Sequence, residues 1–508
     1  MTTNPSPGLS TLHQAAAVDD VSALKSLLSA GENVNARDAA GATPLHHAAA
    51  KCSNPEVLEL LIRAGADANA VDHKNRGSLH FAASWNSNPA VIELLIKRGA
   101  TVRFRSDRNS TPLHMAARNN GNPAIIEALI AAGAVVNDED IDGMTPLHSA
   151  ARTNPNTAIV DVLLRAGSEV DATSHDGATP LHWASKASTP DVVRALLLAG
   201  AHVESKTVDG SSPLHLAVQG NHNTHVADTL LLGFADPNAQ DREGQTPLHY
   251  AIQFRAVLVK NLLIAGARLD VLDSHGRTPL ESGEFHPRAD WSVIVDALVK
   301  SGTTRINSTN VSGKPLLYWA MLSFDADAVA AFLKSGADPN IKDADGDPPW
   351  WWGLLLSDKL VAALLSAGAD PNARNSQGDS PLHTNWEKDG AACVEALLAA
   401  GADVNRRNVS GRTPLHRHCV HGDPAQIEVL LRAGADINAR NPDGETPLYV
   451  AASMKPWSLD NLRTAVVEAL LKAGADPRAA AANGKMPFEI TMPEYRDVFT
   501  RWMKDIPS

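Results

Sequence analysis

The sequence predicts an all-α repeat solenoid, and three observations carry that prediction. A Thr-Pro-Leu-His tetrapeptide or a near relative returns about every 33 or 34 residues along almost the whole chain. Most copies are followed by small residues, a polar-Pro pair and an apolar Leu-Leu stretch that ends at glycine. Little sequence lies outside these copies to fold as a separate domain. A fixed period of this size means one supersecondary unit stacked many times, each unit touching only its neighbours around a continuous core.

Clear copies begin at Thr43, Thr111, Thr145, Thr179, Thr246 and Thr413, with Ser212 and Ser380 opening serine versions and Gly77 a weaker one. Within the unit from Asp38 to Val71, Gly41 suits a turn with positive φ. Thr43 is expected to cap the first helix through its hydroxyl, with Pro44 at a first-turn position that needs no N–H. Leu45, Ala48 and Ala49 then form its buried side. Asn54-Pro55 starts a second helix, as do Asn88-Pro89, Asn122-Pro123, Thr189-Pro190 and Asp423-Pro424. Val57, Leu60, Leu61 and Ala64 fall at helical spacing on one stripe. Gly65 supplies a left-handed C-cap, and Asp67 to Asp72 leads through an extended hairpin into the next unit.

The order Thr-Pro-Leu-His-x-Ala-Ala, then Leu-Leu-x-x-Gly-Ala-Asp-x-Asn-Ala, resembles the ankyrin repeat family over roughly residues 9 to 490. That resemblance implies about fifteen helix–turn–helix units with β-hairpin loops. Residues 1–8 are expected to be disordered, 9–300 to form an N-terminal array, 301–485 a C-terminal array irregular at its start, and 486–508 a capping helix. The pattern weakens at Thr278-Pro-Leu-Glu281, which lacks its histidine, and a defect or hinge is expected at about 281–312. Regular units are expected to resume at Ser380, and Met454 to Leu462 reads as an insertion.

Composition narrows the function. A formal net charge of −12 argues against a non-specific nucleic-acid binder. The absence of a long apolar run argues against a membrane span. Three widely separated cysteines, Cys52, Cys393 and Cys419, form no disulfide framework and fit a reducing, cytoplasmic setting. The N-terminus has no secretory pattern. No nucleophile elbow, phosphate loop, dinucleotide fingerprint, zincin motif or Cys-x-x-Cys is present, so an enzyme is not expected and no cofactor is implied.

Several clusters invite chemistry and have plainer explanations. Half of the 20 histidines are the repeat histidine, which hydrogen bonding within and between turns accounts for. His416, His418, Cys419 and His421 are dense in sequence but lie on one short helix, a poor tetrahedral metal set. Asp343-Ala-Asp-Gly-Asp347 opens like a calcium loop but lacks the closing glutamate. The hairpin asparagines, such as Asn35, Asn69 and Asn137, could be read as hydroxylation sites, and hairpin bonding explains them equally.

In the family that the chain resembles, partners contact hairpin tips and the exposed side of the first helices, on a concave face. At those positions stand Lys51, Lys74, Arg76, Trp85, Arg108, Arg118, Met144, Arg152 and Lys186, a basic run in an acidic chain. Arginine and tryptophan are favoured interface anchors, so an acidic or phosphorylated segment of a protein partner is expected there. Trp350, Trp351 and Trp352, with Trp319 nearby, form a second candidate, because three adjacent residues on one helical turn cannot all face the core. The function expected is a non-enzymatic protein-interaction module or scaffold, monomeric, binding neither nucleic acid nor membrane. The alternative is a host-directed effector or adaptor that uses the repeats for target recognition, with delivery into a host cell.

Overall fold

A computed structural model describes residues 11–283, 293–295, 297–298, 305–322, 326–352, 357–384, 390–421, 423–453, 460–491 and 496–504. The expected disordered start, half of the 281–312 defect and most of the 454–462 insertion lie outside these residues. The chain divides into two compact units, one ending at Gly276 and the other beginning at Arg277.

The first unit is a series of helix pairs, among them Pro44–Lys51 with Pro55–Arg63, Pro112–Asn119 with Pro123–Ala131, and Pro180–Ala187 with Pro190–Leu198. First helices stack on first helices and second on second. Paired alanines allow this: Ala48, Ala49, Ala82, Ala83, Ala116, Ala117, Ala150 and Ala151 are fully buried. With only a methyl group between backbones, neighbouring first helices approach closely. The second helices contribute the larger core groups, such as Val57, Leu58 and Leu61, and their counterparts Ile125, Ile126 and Leu129. Leu60 and Ala64, expected on this stripe, are half-buried and exposed; Leu58 takes the core position instead.

The helix start differs from the sequence reading in a useful way. The repeat histidine ring, not the threonine hydroxyl, satisfies the exposed backbone. In the second unit of the stack, His46 Nδ1 accepts from the Thr43 backbone N–H at 3.1 Å and faces the Thr43 hydroxyl at 2.9 Å. A ring nitrogen that accepts is unprotonated, so Nε2 carries the hydrogen. It donates across to the next unit, to the Arg76 carbonyl at 3.0 Å. The same two-sided bond recurs at His114 to Met144, His148 to Ala178 and His182 to Ser211. Where Glu281 replaces the histidine, its carboxylate takes the Thr278 N–H at 2.8 Å and holds Arg305 at 2.8 Å. The cap survives there in its more usual glutamate form.

Second helices start as expected at Asn54, whose side chain accepts from the Glu56 N–H, and at Asp423, which accepts from Ala425. Thr189 makes no such cap. A left-handed glycine follows most second helices, with φ of 94° at Gly65. The hairpins are turns rather than strand ladders: among the described residues the β pairing consists of isolated bridges such as Val71 to Gly77.

An asparagine ladder runs beside the alanines. Asn86 Nδ2 donates to the Ala49 and Cys52 carbonyls. Asn120 donates to Ala83 and Asn86, and Asn154 to Ala117 and Asn120. These buried side chains satisfy helix-end carbonyls of the preceding unit, which would otherwise carry a desolvation cost.

The second unit keeps the pairing with shorter first helices. Leu316–Leu322 precedes Ala326–Lys334, whereas Pro349–Trp351 and Pro381–His383 are single 3₁₀ turns. After Ser380 the described first-helix residues are Pro381–His383, where His383 accepts from the Ser380 N–H as in the regular repeats, and a full first helix is described at Pro414–His421. The chain closes with the short helix Pro487–Ile490 and then Arg496–Lys504, on which Phe499 is fully buried.

Candidate protein-binding face

On the first helices the residue after the repeat histidine and the residue three further along form two columns from repeat to repeat. The first set includes Phe81, Met115, Trp183, Leu216 and Tyr250; the second includes Arg118, Arg152 and Lys186. Arg118 and Lys186 are exposed and Arg152 is half-buried. The Arg152 guanidinium lies 4.6 Å from the Trp183 ring centre and Lys186 Nζ 5.8 Å, so one indole sits between two cations. Such contacts hold both side chains over the face while leaving their N–H donors available.

Arg108, Arg118, Met115, Asp142, Ser149 and Arg152 line a cleft of about 270 Å³ between two successive units. Arg108 is exposed and pairs with Asp142 at 2.7 Å, a solvent-facing bond that a stronger acceptor can displace. A second cleft of about 500 Å³ follows, lined by Trp183, Lys186, Asp209, Leu216, Glu243 and Tyr250. The face therefore passes from basic to acidic along the stack. Tyr250 donates to Asp241 at 2.6 Å, and burial beside that carboxylate raises the phenol above its ordinary range.

Other expected contact residues are placed differently. Lys51 and Lys74 are exposed, and Trp85 is 53% exposed with its ring edge against Phe81. Arg76 is committed internally: it pairs with Asp72 at 2.6 Å and covers the Phe81 ring. Met144 is only 4% exposed, and its carbonyl accepts from His114 of the preceding repeat. The tryptophan cluster is not an open patch either. Trp350 and Trp352 are buried with their indole N–H groups on the Asp370 and Asp347 carbonyls, both at 3.0 Å. Trp319 is also buried, and Trp351 is half-buried. Pro349 starts a 3₁₀ turn there, so the three rings do not follow the helical directions that predicted an exposed face.

Trp183, Met115 and Tyr250 were not singled out from sequence. Their signal was present as the variable residue after each repeat histidine.

The remaining clusters have structural roles. His418 donates to the Leu382 carbonyl at 2.9 Å, and burial lowers its pKa to about 4. Lys314 Nζ occupies the would-be cation position of the acidic hairpin, 2.9 Å from Asp343 and 2.6 Å from Asp345. Hairpin asparagines bridge units: Asn35 donates to Gly65 and accepts from Asp67, and Asn69 does the same with Gly99 and Thr101. All three cysteines are buried, and burial pushes the Cys52 and Cys419 thiols upward. Among the described residues no group of histidines, cysteines and carboxylates could hold a metal ion, and no helix is long and apolar enough to cross a membrane.

Stacked helix pairs with a variable face over an invariant core define a helical repeat interaction protein. The family model for ankyrin repeats, in sets of three copies, matches residues 12–106, 79–173, 153–233, 214–283, 354–441 and 386–481, and the chain belongs to the ankyrin repeat family. Repeats of this family are protein–protein interaction modules and are typically non-enzymatic.

Proposed function

We propose that this chain is a non-enzymatic recognition module that binds an acidic or phosphorylated segment of a protein partner on the first-helix face of its first unit. The observation that carries this reading is the column Arg118, Arg152 and Lys186, at one position of three successive first helices, beside the cleft under Arg108. Repetition at one stacking interval spreads the cations along the face, which suits an extended chain carrying several negative groups. Charge-assisted hydrogen bonds from guanidinium to carboxylate or phosphate contribute roughly 1.5–3 kcal/mol each. The acidic stretch at Asp209 and Glu243 favours a basic residue further along the same segment. The buried thiols of Cys52 and Cys419 fit a role in a reducing compartment such as the cytoplasm.

The test is binding of an immobilised library of acidic and phosphorylated peptides, with neutral scrambles, to the wild type and to a triple variant Arg118→Glu, Arg152→Glu and Lys186→Glu. Arg76 is left intact because its reversal would break the Asp72 pair. Peptides that bind the wild type and lose at least tenfold in affinity with the correctly folded variant support the proposal. Equal binding by both proteins would refute it.

A further inference from the structure

The opposite side of the first unit carries a second feature, at the C-terminal ends of three successive second helices. The last residue of a second helix is basic at Arg63, Lys97, Arg165, Lys334, Arg432 and Lys472. A cation there complements the helix dipole and solvates the helix end. In Pro190–Leu198, His225–Leu232 and Ala256–Ile264 the same position is Leu198, Leu232 and Ile264. These side chains are 84%, 82% and 74% exposed. Three neighbouring units thus give up a favourable cation for an apolar group in water.

Phe234 sharpens the point. Ordinary units continue with Ala-Gly, and the glycine takes the left-handed conformation. Here the order is Gly233-Phe234, and the phenylalanine adopts φ 65° while remaining 90% exposed. A bulky side chain in this region is strained, and this one buries almost nothing in return. The inversion has a local basis, because a Cβ at position 233 would stand 2.8 Å from Leu197. That explains a glycine at 233 but not a phenylalanine at 234. Val257, 66% exposed and two turns before Ile264 on the same helix face, extends the patch.

We propose that this patch is a homodimer interface, covered by a second copy of this chain. Three arguments select that occupant. Five large apolar side chains at roughly 110–200 Å² each offer on the order of 700 Å², near the ~800 Å² per partner of a standard interface. The polar groups around them are of both signs and paired with one another: exposed Arg194 pairs with Asp191, and Asp228 accepts from Asn261. No single-signed field is left to select a charged partner. Lastly, three apolar positions at one stacking interval are self-complementary about a twofold axis. With Leu232 and Phe234 at the axis, Leu198 of one copy meets Ile264 of the other, as an isologous contact requires.

Sedimentation equilibrium of the full chain from 1 to 100 µM tests this, for the wild type, Phe234→Gly, and the triple variant Leu198→Lys, Leu232→Lys and Ile264→Arg. The proposal expects a concentration-dependent dimer for the wild type, at least tenfold weaker association for Phe234→Gly, and a monomer for the triple variant. Phe234→Gly should at the same time raise the Tm measured at a dilution where the chain is monomeric, since glycine relieves the strain. The lysines and arginine restore the residues that other units carry, so misfolding is not the expected cause of lost association. A wild type that stays monomeric to 100 µM overturns the proposal, as does a dimer that the triple variant leaves intact. A monomer that sediments with neutral phosphatidylcholine vesicles would assign the patch to lipid and overturn it too. Because these residues lie outside the basic face, failure here leaves the peptide-binding proposal standing.

Discussion

Acidification should unfold this protein well above the pH at which its carboxylates titrate, and the repeat histidines set the size of the effect. Burial is the main cause that holds His80, His148 and His416 at about 4, partly opposed by the bond each donates to a carbonyl of the next unit. His418 is held at about 4 in the same way. In the unfolded chain each would titrate near 6.5. The folded pKa is therefore depressed, and below 6.5 the unfolded state binds more protons, so stability falls as pH falls. Per histidine, moving from pH 7 to pH 5 costs about 2 kcal/mol by this linkage, and to pH 6 about 0.7 kcal/mol. Two such histidines lie in each compact unit, so each unit should lose about 4 kcal/mol by pH 5. The carboxylates of Asp38, Asp72 and Asp176 are held below their ordinary value, so their contribution is lost only under about pH 4 and does not confuse this window. The assay is urea unfolding followed by far-UV circular dichroism at pH 7, 6 and 5. His148→Gln supplies the control: whatever its own stability, its pH slope should be shallower by about 2 kcal/mol between pH 7 and 5. A midpoint that is flat or rises on acidification, or a variant with the wild-type slope, would show that these rings are not buried and neutral.

Further outcomes follow from the same structure. Asn120→Ala removes two buried bonds from the asparagine ladder and strands the Ala83 and Asn86 carbonyls, so urea unfolding should show a loss of about 2–4 kcal/mol. Ala116→Leu forces a larger group between stacked first helices and should cost about 1–3 kcal/mol, whereas Lys97→Ala, on the exposed end of a second helix, should cost under about 0.5 kcal/mol. Lys314→Ala leaves the largely buried Asp343 carboxylate without its cation, and thermal melts should show a drop corresponding to about 1–3 kcal/mol. Binding of an acidic peptide to the Arg118, Arg152 and Lys186 face should weaken as sodium chloride rises from 50 to 500 mM, since the cations are largely solvent-facing.

The sequence by itself determined the repeat, because the period is imposed by stacking: every unit must meet two neighbours with the same surfaces. Pro44 at a helix start, Gly65 at a helix end and the alanine pairs are local requirements, so they are legible one residue at a time. The basic column was legible too, since Arg118, Arg152 and Lys186 recur in register. What the tertiary structure decided was where long side chains go. Arg76 and Arg118 read alike in sequence, yet one is spent on Asp72 and Phe81 while the other stays exposed. Met144, Trp350 and Trp352 read as contact candidates and are buried, the two tryptophans at a 3₁₀ turn that no helical spacing describes. The exposed run Leu198, Leu232 and Ile264 was not singled out from the sequence, where these residues continue apolar stretches of their helices. Periodicity fixes which units repeat; burial of a given side chain is set by contacts from residues some 30 positions away, and those exist only once the stack has formed.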